Sequence, residues 1–294
     1  MIRPLILLAL LQCCSPSSSR KTDYCAEESA GKKAVQPIVN GVPRSRLRIA
    51  PEQLASIGGV RPPDVQEDYC SGVAIRQSWV LTAAHCVWAP GLNFELDKTE
   101  YVADRQVVAP GLDLMLLHLE KALPASISPI PVAVPRLQTL NRLVEIAGVG
   151  RTESGSSQGL RLATTQISDL SENTVTVQGR GCAGACDGDS GGPLLLRDTN
   201  ALTAILGVLS FGSASCVGED VYTRLDSTEV ATWIAETAGS VEPGVTSLCN
   251  GLDHVGLCDH ERALWCDADS PIADICEKRC DWSDREKAFR CGGS

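Results

Sequence analysis

Between residues 38 and 225 the chain is a succession of short apolar stretches separated by Gly, Pro, Asn or Ser. Turn signals at near-regular spacing interrupt stretches such as "SGVAIRQSWVLTAA", "DLMLLHL", "ISPIPVAV" (127–134), "RLVEIAGVG" and "LTAILGVLSFG". Many short strands joined by turns are typical of an all-β sandwich or barrel. We therefore predict an all-β fold for this region.

One helix is expected after these strands, at residues 226–239. The stretch "DSTEVATWIAETAG" opens with Asp226 or Ser227 as a capping residue, carries apolar side chains at helical spacing and ends at Gly239. Capped starts, a periodic apolar face and a terminal glycine are the signals of a helix with defined ends.

Fourteen cysteines in 294 residues indicate structural disulfides and an oxidising compartment. Six of them fall between residues 249 and 291, where few aliphatic residues separate them. A segment of that size cannot be held together by core burial alone. We predict that residues 241–294 form a disulfide-rich module with three bridges, whose tryptophans could serve a protein or carbohydrate ligand.

The N-terminus reads as a targeting segment. Arg3 precedes an apolar run, 4–11, that is too short to span a bilayer but suits a secretory signal over residues 1–14. The letters "LLQC" also resemble the lipobox of bacterial lipoproteins, which would acylate Cys13 and anchor the chain at the cell envelope. Residues 15–37 are polar and read as a linker or pro-segment. The expectation is a secreted, extracellular protein, with lipid anchoring as the alternative.

The net charge of −10 bears on the partners of the chain. No basic run is long enough to follow phosphates, so nucleic acid and anionic membrane are excluded as partners. A membrane would enter only through lipidation at Cys13.

The stretch "ACDGDSGGP" at 185–193 sets Ser190 among glycines and acids. By itself it fits a plain turn as well as a nucleophile held on a bend. A nucleophilic serine needs a base, and neutral imidazole is the usual one. The four histidines are at positions 85, 118, 254 and 260, and each alone would fit a surface or core role.

The combined motifs resemble the trypsin/chymotrypsin family of serine endopeptidases. They occur in the family's order: "CSGVAIRQSWVLTAAHC" (70–86), "GLDLMLLHL" (111–119) and "CDGDSGGP" (186–193), with "IVNG" at 38–41, "SFG" at 210–212 and "VYTRL" at 221–225. The resemblance implies a double six-stranded β-barrel with a C-terminal helix over residues 38–240. It stops at the Cys-rich tail and implies neither a metal ion nor an organic cofactor.

The resemblance also assigns catalytic roles. Ser190 would be the nucleophile, His85 the general base and then general acid, and Asp113 the group that holds the imidazole tautomer. The backbone N–H groups of Gly188 and Ser190 would form the oxyanion hole. Protein or peptide substrates would be hydrolysed through an acyl-enzyme.

Further positions carry over to binding and to disulfides. Ser210, Phe211 and Gly212 would form the edge along which substrate pairs as an added strand. Gly184 stands where trypsin-like members carry the pocket acid, whereas Asp220 could supply an acid from another wall or point to solvent. Cleavage after Lys or Arg and after small aliphatic residues therefore both stay open. The resemblance pairs Cys70 with Cys86 and Cys186 with Cys216.

Activation departs from the family pattern. Cleavage before Ile38 would free an ammonium that pairs with Asp189, but Pro37 stands where the family has Arg or Lys. Either another protease trims the segment or the chain is a catalytically silent protease-like protein that binds or adheres through its tail. Cys25 and Cys182 remain without assigned partners: a bridge between them would keep the pro-segment attached, and the alternative is a partner from the Cys-rich tail.

Overall fold

A computed structural model describes residues 38–39, 41–65, 69–132, 143–150, 159–179, 183–197, 203–239, 257–259, 262–267, 270–275, 280–283, 285 and 288–291. The signal segment, the pro-segment and Cys182 lie outside the described residues, so the predictions made for them stay predictions.

Six antiparallel strands close the first barrel in the order β1-β2-β3-β6-β5-β4. A short helix, α1 (Pro51–Leu54), precedes them, and a 3-10 turn (Ala84–Cys86) follows β3. The strands are β1 (Ile57–Arg61), β2 (Cys70–Arg76), β3 (Trp79–Thr82), β4 (Asn93–Leu96), β5 (Thr99–Val108) and β6 (Met115–Leu119).

The second barrel closes in the equivalent order, β10-β11-β12-β9-β8-β7. Its strands are β7 (Leu143–Gly148), β8 (Arg161–Leu170), β9 (Thr174–Gln178), β10 (Pro193–Arg197), β11 (Thr203–Gly212) and β12 (Glu219–Arg224). The predicted double six-stranded β-barrel is confirmed.

Each barrel is filled by the inward-facing side chains of its own strands, as the alternation of strands requires. The core of the first barrel also includes side chains of the second, such as Leu195, Ile205 and Val208, so the two barrels share buried contacts. Loops that meet between the barrels are therefore held in place from both sides.

The stretch 127–134 was predicted as a strand, and this prediction is wrong for its described residues, 127–132. They form only an isolated bridge between Val132 and Ile205. Pro129 and Pro131 lack the N–H that a ladder requires at alternate positions, so the segment cannot pair as a regular strand.

The predicted helix is confirmed as α2 (Thr228–Ala238). The Ser227 side chain accepts a hydrogen bond from the Val230 nitrogen at 3.2 Å, and Gly239 follows the last turn with φ of 87°. Val230 and Ile234 pack into the core of the first barrel. Within the described residues, no helix is long and apolar enough to cross a membrane.

The tail forms two small antiparallel sheets. One contains β13 (Leu257–Asp259), β14 (Arg262–Asp267) and β15 (Ser270–Ile275), and the other contains β16 (Cys280–Ser283) and β17 (Ala288–Cys291). Cys291 takes part in a disulfide. The pairing of the other tail cysteines and any ligand of the module stay predictions.

Candidate active site

His85 and Asp113 meet at the edge of the first barrel. His85 lies in the 3-10 turn after β3, and Asp113 lies two residues before β6, the strand that pairs with β3. Asp113 Oδ2 lies 2.8 Å from His85 Nδ1, while Asp113 Oδ1 accepts from the His85 backbone nitrogen at 2.9 Å. Two contacts to one residue fix both the backbone and the ring of His85.

Asp113 accepts a further hydrogen bond from the Ser210 hydroxyl at 2.5 Å. Burial acts to raise the pKa of Asp113, but the hydrogen bonds from His85 and Ser210 outweigh it and lower that pKa to about 2. Asp113 is therefore ionised at neutral pH and can orient the imidazole and stabilise its cation.

Ser190 lies in a turn that the first barrel holds in place. The Ser190 carbonyl oxygen accepts from the Ser71 nitrogen at 2.7 Å and lies 3.9 Å from the sulfur of Cys86, the residue after His85. The Ser71 hydroxyl donates to the Gly188 carbonyl at 3.0 Å and accepts from the Val149 nitrogen at 3.0 Å. These contacts bring the serine turn to the loop that carries His85.

Two glycines of this turn are required by its geometry. Gly188 has φ of 87° and Gly191 has φ of 83°, in the region that side chains rarely adopt. A Cβ on Gly191 would come within 2.1 Å of Thr82 Oγ1 and 2.4 Å of the Ser71 carbonyl oxygen. Only glycine allows the turn to pack this closely against β2 and β3.

Asp189 is fully buried and binds Ile38, the first of the described residues. Its Oδ2 accepts from the Ile38 nitrogen at 2.9 Å and from the Cys186 nitrogen at 2.9 Å, and its Oδ1 accepts from the Gly150 nitrogen at 3.0 Å. Burial raises the pKa of Asp189 to about 6. The negative charge of Asp187 adds to this rise, and the three hydrogen bonds oppose it.

A cavity of about 700 Å³ opens beside Ser190. One part of its wall is the serine turn and another is the end of β11, where Phe211 is 61% exposed. The residues that line it include Tyr69, Ala185, Asp187, Gly188, Ser190, Ser210, Phe211, Gly212 and Cys216.

Asp220 lies buried behind this wall and does not point to solvent. Its Oδ2 accepts from the Ala185 nitrogen at 2.8 Å, whereas its Oδ1 has no hydrogen-bond partner among the described residues. A Cβ on Gly212 would come within 2.6 Å of that Oδ1, and one on Gly184 within 3.2 Å of Oδ2. Burial raises the pKa of Asp220 to about 6; the charge of Asp189 adds to this shift, while the hydrogen bond from the Ala185 nitrogen and the nearby backbone N–H of Ser213 oppose it.

Both disulfides that the resemblance implied are present. Cys70 and Cys86 are bridged across the base of the His85 turn, and Cys186 and Cys216 link the serine turn to the segment before β12. His85 and the sulfur atoms of Cys70 and Cys86 lie within 4.8 Å of one another. Because those two sulfurs are bonded to each other, they offer no thiolate to a metal ion.

Ser71 and Tyr69 contribute to the site, although the sequence alone assigned neither of them a role. Ser71 is fully buried and connects the serine turn to the first barrel, and Tyr69 lines the cavity. Their position next to Cys70 in the sequence was the available signal. The Cys70–Cys86 disulfide places the neighbours of Cys70 beside the turn that carries His85.

The two barrels and the buried acid beside the serine turn define a protein of the trypsin class. The Trypsin family model matches residues 56–234, more than half of the chain. The chain belongs to the Trypsin family.

Individual relatives agree with this assignment. Melanization protease 1 of Drosophila melanogaster is 30% identical over 239 residues, which cover 59% of this chain and 60% of that protein. Human cathepsin G is 29% identical over 231 residues, covering 67% of this chain and 85% of that protein. A solved structure of neuropsin, a serine protease expressed in the limbic system of mouse brain, matches with a TM-score of 0.54 and 22% identity over 64% of this chain and 96% of that chain.

Proposed function

We propose that the chain is a secreted serine endopeptidase, made as a zymogen, that hydrolyses peptide bonds through an acyl-enzyme at Ser190. The observation that carries the proposal is Asp113, which receives hydrogen bonds from both His85 and Ser210. An ionised carboxylate on Nδ1 leaves Nε2 of the neutral ring free to take a proton, which is the state that a general base requires.

The reaction uses three groups in sequence. His85 takes the hydroxyl proton of Ser190 as the oxygen attacks the substrate carbonyl, and then delivers that proton to the leaving amine. The backbone N–H groups of Gly188 and Ser190 stabilise the oxyanion, a contribution of several kcal/mol in acyl transfer. Water then repeats the attack and releases the acid product.

Activation requires a free amine at Ile38. Ile38 is fully buried and its nitrogen already lies against Asp189, so cleavage before it would place an ammonium beside a buried carboxylate. A buried charge pair is favourable only when both charges are present and hydrogen-bonded. The processed chain thus orders the turn that bears Ser190.

Substrates with Lys or Arg before the scissile bond fit the pocket best. Asp220 has an oxygen with no partner at the Gly212 wall, and an ionised buried oxygen without a donor is costly. A substrate ammonium or guanidinium would supply the missing donor and the opposite charge. Gly184 and Gly212 let the wall pack directly against the Asp220 carboxylate, because a Cβ on either would come within 3.2 Å of it.

Labelling with a serine-directed phosphonate tests the proposal. A protein that begins at Ile38 is expected to gain one adduct, located on Ser190, while Ser190→Ala gains none. If the processed protein remains unlabelled, the chain is a silent protease-like protein and the enzyme proposal fails.

A further inference from the structure

A second cavity, of about 350 Å³, lies between α2 and the loop that joins β5 to β6. The loop contributes Ala109, Pro110 and Leu112 to its wall, and α2 contributes Trp233 and several polar residues. None of the residues that line it lines the cavity beside Ser190. A concave site of this volume, apolar on one side and polar on the other, has the character of a small-ligand pocket.

Two carboxylates flank an aromatic ring in this cavity. Glu229, Trp233 and Glu236 are spaced four and three residues apart on α2, so they share one face of the helix. The two acids are separated by about 10 Å along the helix axis, with Trp233 between them. Both glutamates are exposed, whereas Trp233 is partly buried against the core of the first barrel. An aromatic ring between two negative charges favours a bound cation.

The stability of α2 does not explain both acids. Glu229 lies in the first turn, where a negative charge interacts favourably with the helix dipole. Glu236 lies near the other end, where a negative charge is unfavourable and the last turn carries no basic residue. Among the residues that the structure describes, no cationic side chain pairs with either glutamate. A cation from outside the described chain would neutralise them.

Both walls of the cavity are fixed by contacts within the fold. Val230 and Ile234 anchor α2 in the core of the first barrel. On the other wall, the Ala109 nitrogen donates to the Leu114 carbonyl oxygen at 2.9 Å and closes the loop. A ligand that binds between two fixed walls loses little free energy to the ordering of the protein.

We propose that this cavity binds the Lys or Arg side chain of a peptide or protein, at a place separate from the cavity beside Ser190. The apolar loop residues would contact the methylene stem, while Trp233 and the two carboxylates would hold the cationic head. The net charge of −10 adds a long-range attraction for a basic partner. The site goes beyond the proposed endopeptidase function and does not depend on catalysis.

Binding is measured with N-acetyl-lysine amide and with N-acetyl-norleucine amide, whose linear side chain carries no charge. Both are titrated into the full chain carrying Asp220→Asn, which removes the lysine site proposed beside Ser190. The indole N–H resonance of Trp233, identified by its absence in Trp233→Phe, reports occupancy. We expect the lysine amide to shift this resonance to saturation and to bind at least tenfold more tightly than the norleucine amide.

Variants of the two acids test which charges hold the ligand. Glu229→Gln with Glu236→Gln keeps the shape of both side chains and should weaken lysine binding about tenfold, and each single change about threefold. Raising NaCl from about 0.05 M to about 0.5 M should also weaken it, since exposed charges are screened. Glu120→Gln, at an exposed acid outside the cavity, should bind as the parent does.

Three outcomes would overturn the site: a Trp233 resonance that lysine amide does not move, equal affinity for the two amides, or lysine binding that survives the double glutamine change. Any of them leaves the endopeptidase proposal intact, because no readout uses Ser190. Conversely, a chain that takes no phosphonate but still binds lysine amide at Trp233 loses the endopeptidase proposal and keeps the site.

Discussion

At the scale of single residues, Asp113 decides how the imidazole is used. It is ionised at neutral pH, and its two oxygens bind the ring and the backbone of His85 at the same time. An amide in the same place could present its N–H to Nδ1 and so favour the wrong tautomer.

Asp113→Asn is therefore expected to lower kcat by about four orders of magnitude with little change in folding, the loss that this substitution brings in a Ser-His-Asp triad. Peptide hydrolysis and thermal unfolding measured on the same preparation check this. A kcat within tenfold of wild type would contradict the role assigned to Asp113.

The proposed role of Asp220 in substrate choice predicts that specificity depends on pH. Its pKa is about 6, so the carboxyl is ionised and attracts a cation above that pH and is neutral below it. The ratio of kcat/KM for a Lys substrate to that for the matched Ala substrate is expected to fall as the pH is lowered from about 7.5 to about 5. Because both substrates use the same catalytic groups, the ratio removes any effect of pH on the chemical step itself.

In Asp220→Asn the same ratio should be low and independent of pH. If wild type prefers Ala or Val at every pH and the substitution changes nothing, the buried acid takes no part in substrate choice.

At the scale of elements, Glu145 in β7 holds the segment that follows the proposed cleavage site before Ile38. It is almost fully buried and accepts from the Ser45 hydroxyl at 2.6 Å, the Arg46 nitrogen at 2.5 Å and the Leu47 nitrogen at 3.2 Å. Burial raises the pKa of Glu145, and these hydrogen bonds oppose the rise.

Glu145→Ala removes the acceptor of these three hydrogen bonds, so we expect a loss of about 2–4 kcal/mol in the free energy of unfolding. Urea unfolding measures it. Glu145→Gln keeps an acceptor oxygen and should lose less, and Glu120→Ala, at an exposed position, should lose almost nothing. Equal stability of Glu145→Ala and Glu120→Ala would show that Glu145 does not hold the segment.

The strands differ in how far the sequence could predict them. In the second barrel, β7 and β11 are buried along most of their length and read as apolar runs. The long strand β5 is mostly exposed, and polar or charged residues interrupt its Tyr and Val side chains, so it carries no apolar run. The orientation of Asp220 was equally hidden, because its burial depends on Ala185 and Gly212, which are distant in sequence and close only after the barrel closes.

At the scale of the whole molecule, the proposed cleavage before Ile38 would change the charge balance of the interior. While the Ile38 nitrogen is a neutral amide, burial raises the pKa of Asp189 from 3.8 to about 6. The stability that this carboxyl contributes is present below about pH 4 and is lost as the pH rises through about 6, a difference of roughly 3 kcal/mol. An ammonium at Ile38 would restore that stability at neutral pH.

A chain that begins at Ile38 is thus expected to be more stable at pH 7 than one that begins at Pro37, by roughly 2–3 kcal/mol, with a smaller difference near pH 4.5. Chemical denaturation at the two pH values tests this. Asp189→Asn should abolish the difference, and a difference that persists in that variant would mean that the new amine acts elsewhere.

Detection of the acyl-enzyme tests the central claim most directly. The chain that begins at Ile38 is mixed with a chromogenic Lys ester, quenched in acid within the first turnover and digested for mass spectrometry. We predict a burst equal to the amount of enzyme and an acyl group on Ser190, both missing in Ser190→Ala. Ester hydrolysis without a burst, or a burst that survives Ser190→Ala, would contradict the account.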